Sequence, residues 1–169
     1  CPSRISVFGV NNVGPTIAVA GTPQQKQHLS GIVTASEIWC QGFSEPNAGS
    51  DLAGLQCRAD VDDEGFTING RKVWMSVGLH ATHCMLLVRT DPDAPKHAGI
   101  SALLVAMDTP GLTRRPIKQI NGEAEFAEKF VFVQHLQRDL TAGRENAQRD
   151  RQIETTAVLR QVRRCEIHG

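Results

Sequence analysis

The spacing of apolar and polar positions changes character once along the chain. Before residue 36 it suits helices: the stretch 12–20 is small and apolar, and Gly21, Thr22, Pro23, Gln24 and Gln25 read as a helix start. Thr22 is the expected N-cap, Pro23 the first helical residue and Gln25 the back-bonding partner. Two short helices are therefore expected here, the second ending near Ser30 and Gly31. From Ser36 onward, short strand-like runs alternate with turn residues, which is the pattern of an all-β domain. Strands are expected at 38–43, 55–61, 66–68, 71–76, 83–90, 100–107, 112–119 and 129–134. Asp62, Asp63, Glu64 and Gly65 supply one turn. Asn69 with Gly70 reads as a hairpin requiring positive φ. Pro92 and Pro95 mark a longer loop over 91–99, and Asp108, Pro110 and Gly111 a further turn. The runs 84–88 and 101–106 are almost continuously apolar, as expected for strands covered on both faces. From Thr141 to Gly169 the chain turns polar and Arg-rich. Ile153, Ala157, Val158, Leu159 and Val162 there are spaced for a helix with a thin apolar face, either the start of a further helical domain or a poorly ordered tail.

The pattern implies an α+β chain with short N-terminal helices, a central antiparallel β-barrel or sandwich, and a polar tail capable of helix formation. Its divisions are expected at 1–36, 37–137 and 138–169. The 169 residues, 40% of them hydrophobic, suffice for one packed domain with part of another. Lys plus Arg and Asp plus Glu are equal at 18 each, so no net basic field points to nucleic acid or an anionic membrane. Five widely spaced cysteines with no C-x-x-C pair suit a reducing compartment. Neither a membrane span nor a leader is visible, and a cytoplasmic location is expected, with a mitochondrial matrix left open. The chain begins at Cys1 rather than methionine, which fits a piece of something longer.

Two stretches carry candidate chemistry. Residues 40–51, CQGFSEPNAGSD, combine Ser44 and Ser50 with the turn formers Pro46, Asn47 and Gly49. Such a curved backbone can turn several N–H groups toward a ligand. Residues 69–78, NGRKVWMSVG, place Trp74 and Ser76 two apart, hence on one face of a strand. A flat heteroaromatic ligand could lie on the indole while the hydroxyl bonds a ring heteroatom. The pair taken alone is more simply a core aromatic and a strand-end hydroxyl.

Together, TPQQK, SEIWCQGFSEPNAGSDLAGL, GFTINGRKVWMS, LLVRTDP, KHAGIS and PIKQINGEAEF resemble the acyl-CoA dehydrogenases, from the end of their N-terminal helical domain through their central β-domain. The resemblance runs from about Gly14 to about Phe132. It implies FAD as cofactor, an acyl-CoA substrate, an electron-transfer flavoprotein or similar acceptor, and a homo-oligomer. It also implies a cofactor-binding set of Cys40, Phe43, Ser44, Gly49, Ser50, Trp74, Met75 and Ser76. Phe43 and Ser44 would meet the pyrimidine side of the flavin, and Ser50 both the pyrophosphate and the acyl-CoA. Trp74, Met75 and Ser76 would lie by the isoalloxazine and its N5 edge, where a fixed donor stabilises the reduced ring. No G-x-G-x-x-G follows a strand, which agrees with a family that holds FAD in a cleft rather than on a Rossmann helix. The implied reaction removes a proton α to the thioester carbonyl and transfers the β-hydride to flavin N5, giving a trans-2-enoyl-CoA.

The resemblance fades after Phe126. In the family the catalytic carboxylate sits in a C-terminal helical domain that this chain is expected to lack, so no catalytic residue is assigned. Glu45, Glu123 and Glu125 read as ordinary carboxylates. A non-catalytic domain that binds flavin, acyl-CoA or a partner chain is the competing reading. His80, His83 and Cys84 form at most a partial metal set, so no metal is expected. A serine hydrolase built on Ser44 or Ser50 lacks its G-x-S-x-G elbow. Arg114 and Arg115 could meet a CoA phosphate, but more simply form a solvated strand face.

Overall fold

Thr22 and Gln25 make the expected reciprocal bonds: the Thr22 amide donates to Gln25 Oε1 at 2.7 Å and the Gln25 amide to Thr22 Oγ1 at 3.3 Å. This capping box separates two helices in the computed structural model, which describes residues 6–61, 65–122, 126–137 and 158–159. The first, α1 (Gly14–Ala20), continues from a π-helical turn at Gly9–Val13, and the second is α2 (His28–Thr34). Helix α2 runs past the expected end at Gly31 and stops where Ala35 turns left-handed, at φ 57°. Gly31 serves close approach instead, since a Cβ there would lie 2.6 Å from Glu37 Cδ.

The strands are β1 (Trp39–Gly42), β2 (Arg58–Val61), β3 (Gly65–Ser76), β4 (His83–Arg89), β5 (Ile100–Ala106), β6 (Leu112–Ile117), β7 (Phe126–Gln137) and β8 (Val158–Leu159). Hydrogen bonding orders them β6-β7-β3-β2-β4-β5-β8, with β1 also paired to β4. The molecule is α+β, and its sheet is sandwich-like rather than closed into a barrel among the described residues. Pairing is antiparallel except at β4, which runs parallel to β1 and meets β2 at the single parallel pair Arg58↔Arg89.

The Asn69–Gly70 hairpin does not form. Both residues lie inside the continuous strand β3, opposite Phe132 and Val131 of β7. Gly70 is needed because β3 passes Cys57 so closely that a Cβ would sit 2.5 Å from its Sγ. The true hairpin joins β2 to β3, and the expected turn residues Asp62, Asp63 and Glu64 lie outside the described residues. Val158 and Leu159, expected in a helix, instead pair antiparallel with Leu103 and Ala102 of β5, and the rest of the tail is likewise outside.

Strands β4 and β5 are apolar on both faces for the reason anticipated. Cys84, Leu86, Val88, Leu103 and Val105 enter one core with Phe66, Ile68 and Met75. Met85 and Leu104 face the other way, against Val13, Ile17, Ile32 and Trp39 of the helical segment. That second core fixes the helices to the sheet.

Candidate functional site

The two stretches singled out in the sequence meet in space. The Val73 amide of β3 donates to the Ser44 carbonyl at 2.9 Å, and Lys72 reaches under the loop to donate to the Phe43 carbonyl at 3.1 Å. Lys72 is fully buried and its ammonium pairs with Glu45 Oε1 at 2.7 Å. The Glu45 carboxylate is itself 8% exposed and accepts two backbone amides, Gln56 N–H at 2.7 Å and Cys57 N–H at 2.9 Å. Further hydrogen bonds to both partners support a buried ion pair, and here the ammonium also meets a carbonyl and the carboxylate two amides. Glu45 is thus an anchor and not a free carboxylate; Glu123 and Glu125 lie outside the described residues.

Above this anchor the loop closes on itself. Glu45 and Ala48 exchange backbone bonds at 2.9 and 3.1 Å, so those amides are used internally. Gly49 and Ser50 are exposed beyond the turn, while Phe43 and Ser44 are half-buried at its base. The following segment is pinned by Arg89, which donates to the carbonyls of Ala53 at 2.7 Å and Leu55 at 3.3 Å. Asp51 pairs with Lys96 at 2.5 Å, and that hydrogen bond lowers its carboxyl below the ordinary value.

On the strand side, β3 bulges. Its register with β7 slips between Lys72 and Met75, and Trp74 takes a left-handed φ of 57°. Val77 does the same at 59°. Left-handed backbone in a bulky or β-branched residue is strained, by roughly 1–3 kcal/mol, and such strain collects at functional positions. The bulge holds the Trp74 indole out at 61% exposure, braced edge-on by Phe126 at 6.1 Å between centroids. Ser76 is half-buried beside it.

Of the eight sequence-derived positions, Ser44, Gly49, Ser50, Trp74 and Ser76 lie on this loop-and-bulge surface, while the half-buried Phe43 packs against the core beneath the helices. The side chains of Cys40 and Met75 pack into the core, which leaves only their backbone for any ligand. Lys72 was missed, because a lysine in a strand ordinarily reads as solvated. Arg114 is spent on the Leu79 and Ala81 carbonyls, at 3.2 and 3.3 Å, which favours its structural reading. His80, His83 and Cys84 do not converge: His80 is exposed and Cys84 is buried in the core, while His83 turns toward His28 and Glu37.

An aromatic face on a strained backbone, three hydroxyls and a tight loop, held together from beneath, can grip a planar ligand at its face and edge. Residues 40–133 match the model of the acyl-CoA dehydrogenase middle domain. The chain belongs to the acyl-CoA dehydrogenase family, a family of FAD-dependent oxidoreductases. It is 45% identical over 143 residues to the acyl-CoA dehydrogenase IpdE1 of Mycobacterium tuberculosis, covering 84% of this chain and 37% of that protein. Among solved structures it is similar to the Tcur3481-Tcur3483 steroid ACAD, with a TM-score of 0.70 and 40% identity over 75% of this chain and 33% of that one. It is also similar to a glutaryl-CoA dehydrogenase from Mycobacterium smegmatis in complex with FADH2, with a TM-score of 0.61 and 30% identity over 70% of this chain and 30% of that one. The chain thus spans about a third of the length of these relatives. Among the described residues no helix is long and apolar enough to cross a membrane.

Proposed function

We propose that this chain forms the flavin-facing wall of an enzyme that oxidises an acyl-CoA thioester to the trans-2-enoyl-CoA. The observation that carries the proposal is the junction of the two stretches, Val73 N–H to Ser44 O at 2.9 Å over the Lys72–Glu45 pair. It sets the hydroxyl-bearing loop beside an exposed, strained tryptophan. FAD, when bound, supplies the hydride acceptor. Trp74 presents an indole face to a planar ring. Ser76, just beyond the bulge, offers a hydroxyl to the ring edge, where a fixed donor stabilises accumulating negative charge. Phe43 and Ser44 flank the same ring from the loop. Ser50, with the exposed amides around Gly49, serves the pyrophosphate and the acyl-CoA.

No proton acceptor is assigned to this chain, because Glu45 is fully engaged and Asp51 is paired with Lys96. On this reading residues 1–36 close a helical domain, 37–137 are the β-domain and 138–169 lead onward. The complete enzyme would be a homo-oligomer passing electrons to an electron-transfer flavoprotein or similar acceptor. Titrating the purified chain with FAD tests the core of the proposal. Flavin fluorescence is expected to quench weakly, and Trp74→Ala or Ser76→Ala is expected to weaken the quenching about tenfold, the order of a lost stacking or charge-assisted contact. Absence of quenching at high protein concentration, both alone and with the family's helical domain supplied in trans, overturns it.

A further inference from the structure

Away from this surface, three residues distant in sequence bring metal-ligating side chains together. His28 opens α2, Glu37 lies in the link to β1, and His83 opens β4. All three are half-buried, and one ligand atom from each lies within 4.8 Å of the other two. His28 Nδ1 is 3.0 Å from both oxygens of the Glu37 carboxylate.

The surroundings orient these groups as supporting residues do around a metal. The Trp39 indole N–H donates to Glu37 Oε2 at 3.0 Å, and its ring stacks on His83 at 4.8 Å between centroids. Gly31 provides the space that the Glu37 side chain occupies. The Thr82 hydroxyl donates to the Ile38 carbonyl at 3.1 Å and accepts the Ile38 amide at 2.9 Å. His83 Nδ1 lies 2.9 Å from the same hydroxyl. Burial would raise the Glu37 carboxyl, but the His28 hydrogen bond and charge, the Trp39 N–H and the His83 charge outweigh it and hold the group below its ordinary value.

A hydrogen-bonded His28–Glu37 pair alone would account for one imidazole. The second reaches the same carboxylate from another strand, so that two imidazoles and one carboxylate converge. We propose that His28, Glu37 and His83 form a three-ligand site for a divalent first-row transition ion, with Zn2+ the best match to two imidazoles and a carboxylate. At bond lengths of about 2.0–2.2 Å a tetrahedral set has its donors about 3.4 Å apart, so the more distant donor atoms draw in while His28 Nδ1 and the Glu37 carboxylate ease slightly apart, with water in the fourth position. The ion would take the place of the His28 Nδ1 proton and tie the helical segment to β4.

The test is a Zn2+ titration of the chelator-treated full chain by calorimetry and thermal melting, with Co2+ as the optical probe. One ion per chain, a raised melting temperature and a tetrahedral Co2+ absorption band are expected. His83→Gln and Glu37→Gln should each weaken binding at least about tenfold, while His80→Gln and His97→Gln, at exposed loop positions, should not. No saturable binding, or an affinity unchanged in both His83→Gln and Glu37→Gln, overturns the site and leaves the cluster a hydrogen-bonded junction. Flavin binding need not change in either case.

Discussion

At the scale of single residues, the site rests on Lys72 and Trp74, one hidden and one displayed. Removing the Lys72 ammonium leaves the Glu45 carboxylate buried without its counter-ion. Lys72→Met is expected to cost about 3–5 kcal/mol, read as a drop in urea midpoint. Replacing both partners by apolar residues often restores stability elsewhere, but not here. Glu45 also satisfies the Gln56 and Cys57 amides, and each stranded donor costs about 1–3 kcal/mol. The double variant Lys72→Met/Glu45→Leu should stay well below wild type, and a full recovery would show that those amide bonds contribute nothing. Trp74 poses the opposite problem, because its left-handed backbone suits glycine. Trp74→Gly should be more stable than Trp74→Ala by about 1–2 kcal/mol, although both lose the indole and bind flavin poorly. Equal stabilities would mean that the strain is released by local rearrangement.

At the scale of elements, the sequence made the alternation of strands legible and misplaced one turn. Asn69–Gly70 carries a strong hairpin signal, yet Gly70 answers to Cys57 across the strand pair, a contact between residues thirteen positions apart that no local pattern reveals. The bulge at Trp74 was invisible for the same reason, since it arises from register with β7 and the pull of Ser44 on the Val73 amide. The capping box was legible because both of its bonds are local. The loop residues were legible through their motif, whereas the meeting of His28, Glu37 and His83 depends on how α2 docks against β4. That junction titrates. Glu37 has a folded value below its unfolded value near 4.5, so its contribution is present above that pH and is lost as pH falls through the lower folded value. Urea midpoints taken down through the carboxylate range should converge between wild type and Glu37→Gln. A constant difference would remove Glu37 from the acid response.

At the scale of the whole molecule, two cores share β4 and β5, one inside the folded sheet and one beneath the helices. The helical segment has too few residues to be stable by itself, since short helices draw their stability from packing. It should therefore unfold with the sheet and not before it. The chain carries a marker for each region. Its two tryptophans divide between them, Trp39 fully buried where helices meet sheet and Trp74 standing in solvent at the site. Emission from Trp39 should be blue-shifted and inaccessible to iodide, and emission from Trp74 red-shifted and readily quenched. In Trp74→Phe only the buried indole remains, and its spectral shift should follow the far-UV dichroism at the same urea concentration; an earlier shift would mean that the helices detach first. In Trp39→Phe the remaining light comes from the loop-and-bulge surface, so docking of a ligand or a neighbouring domain there can be watched without a label.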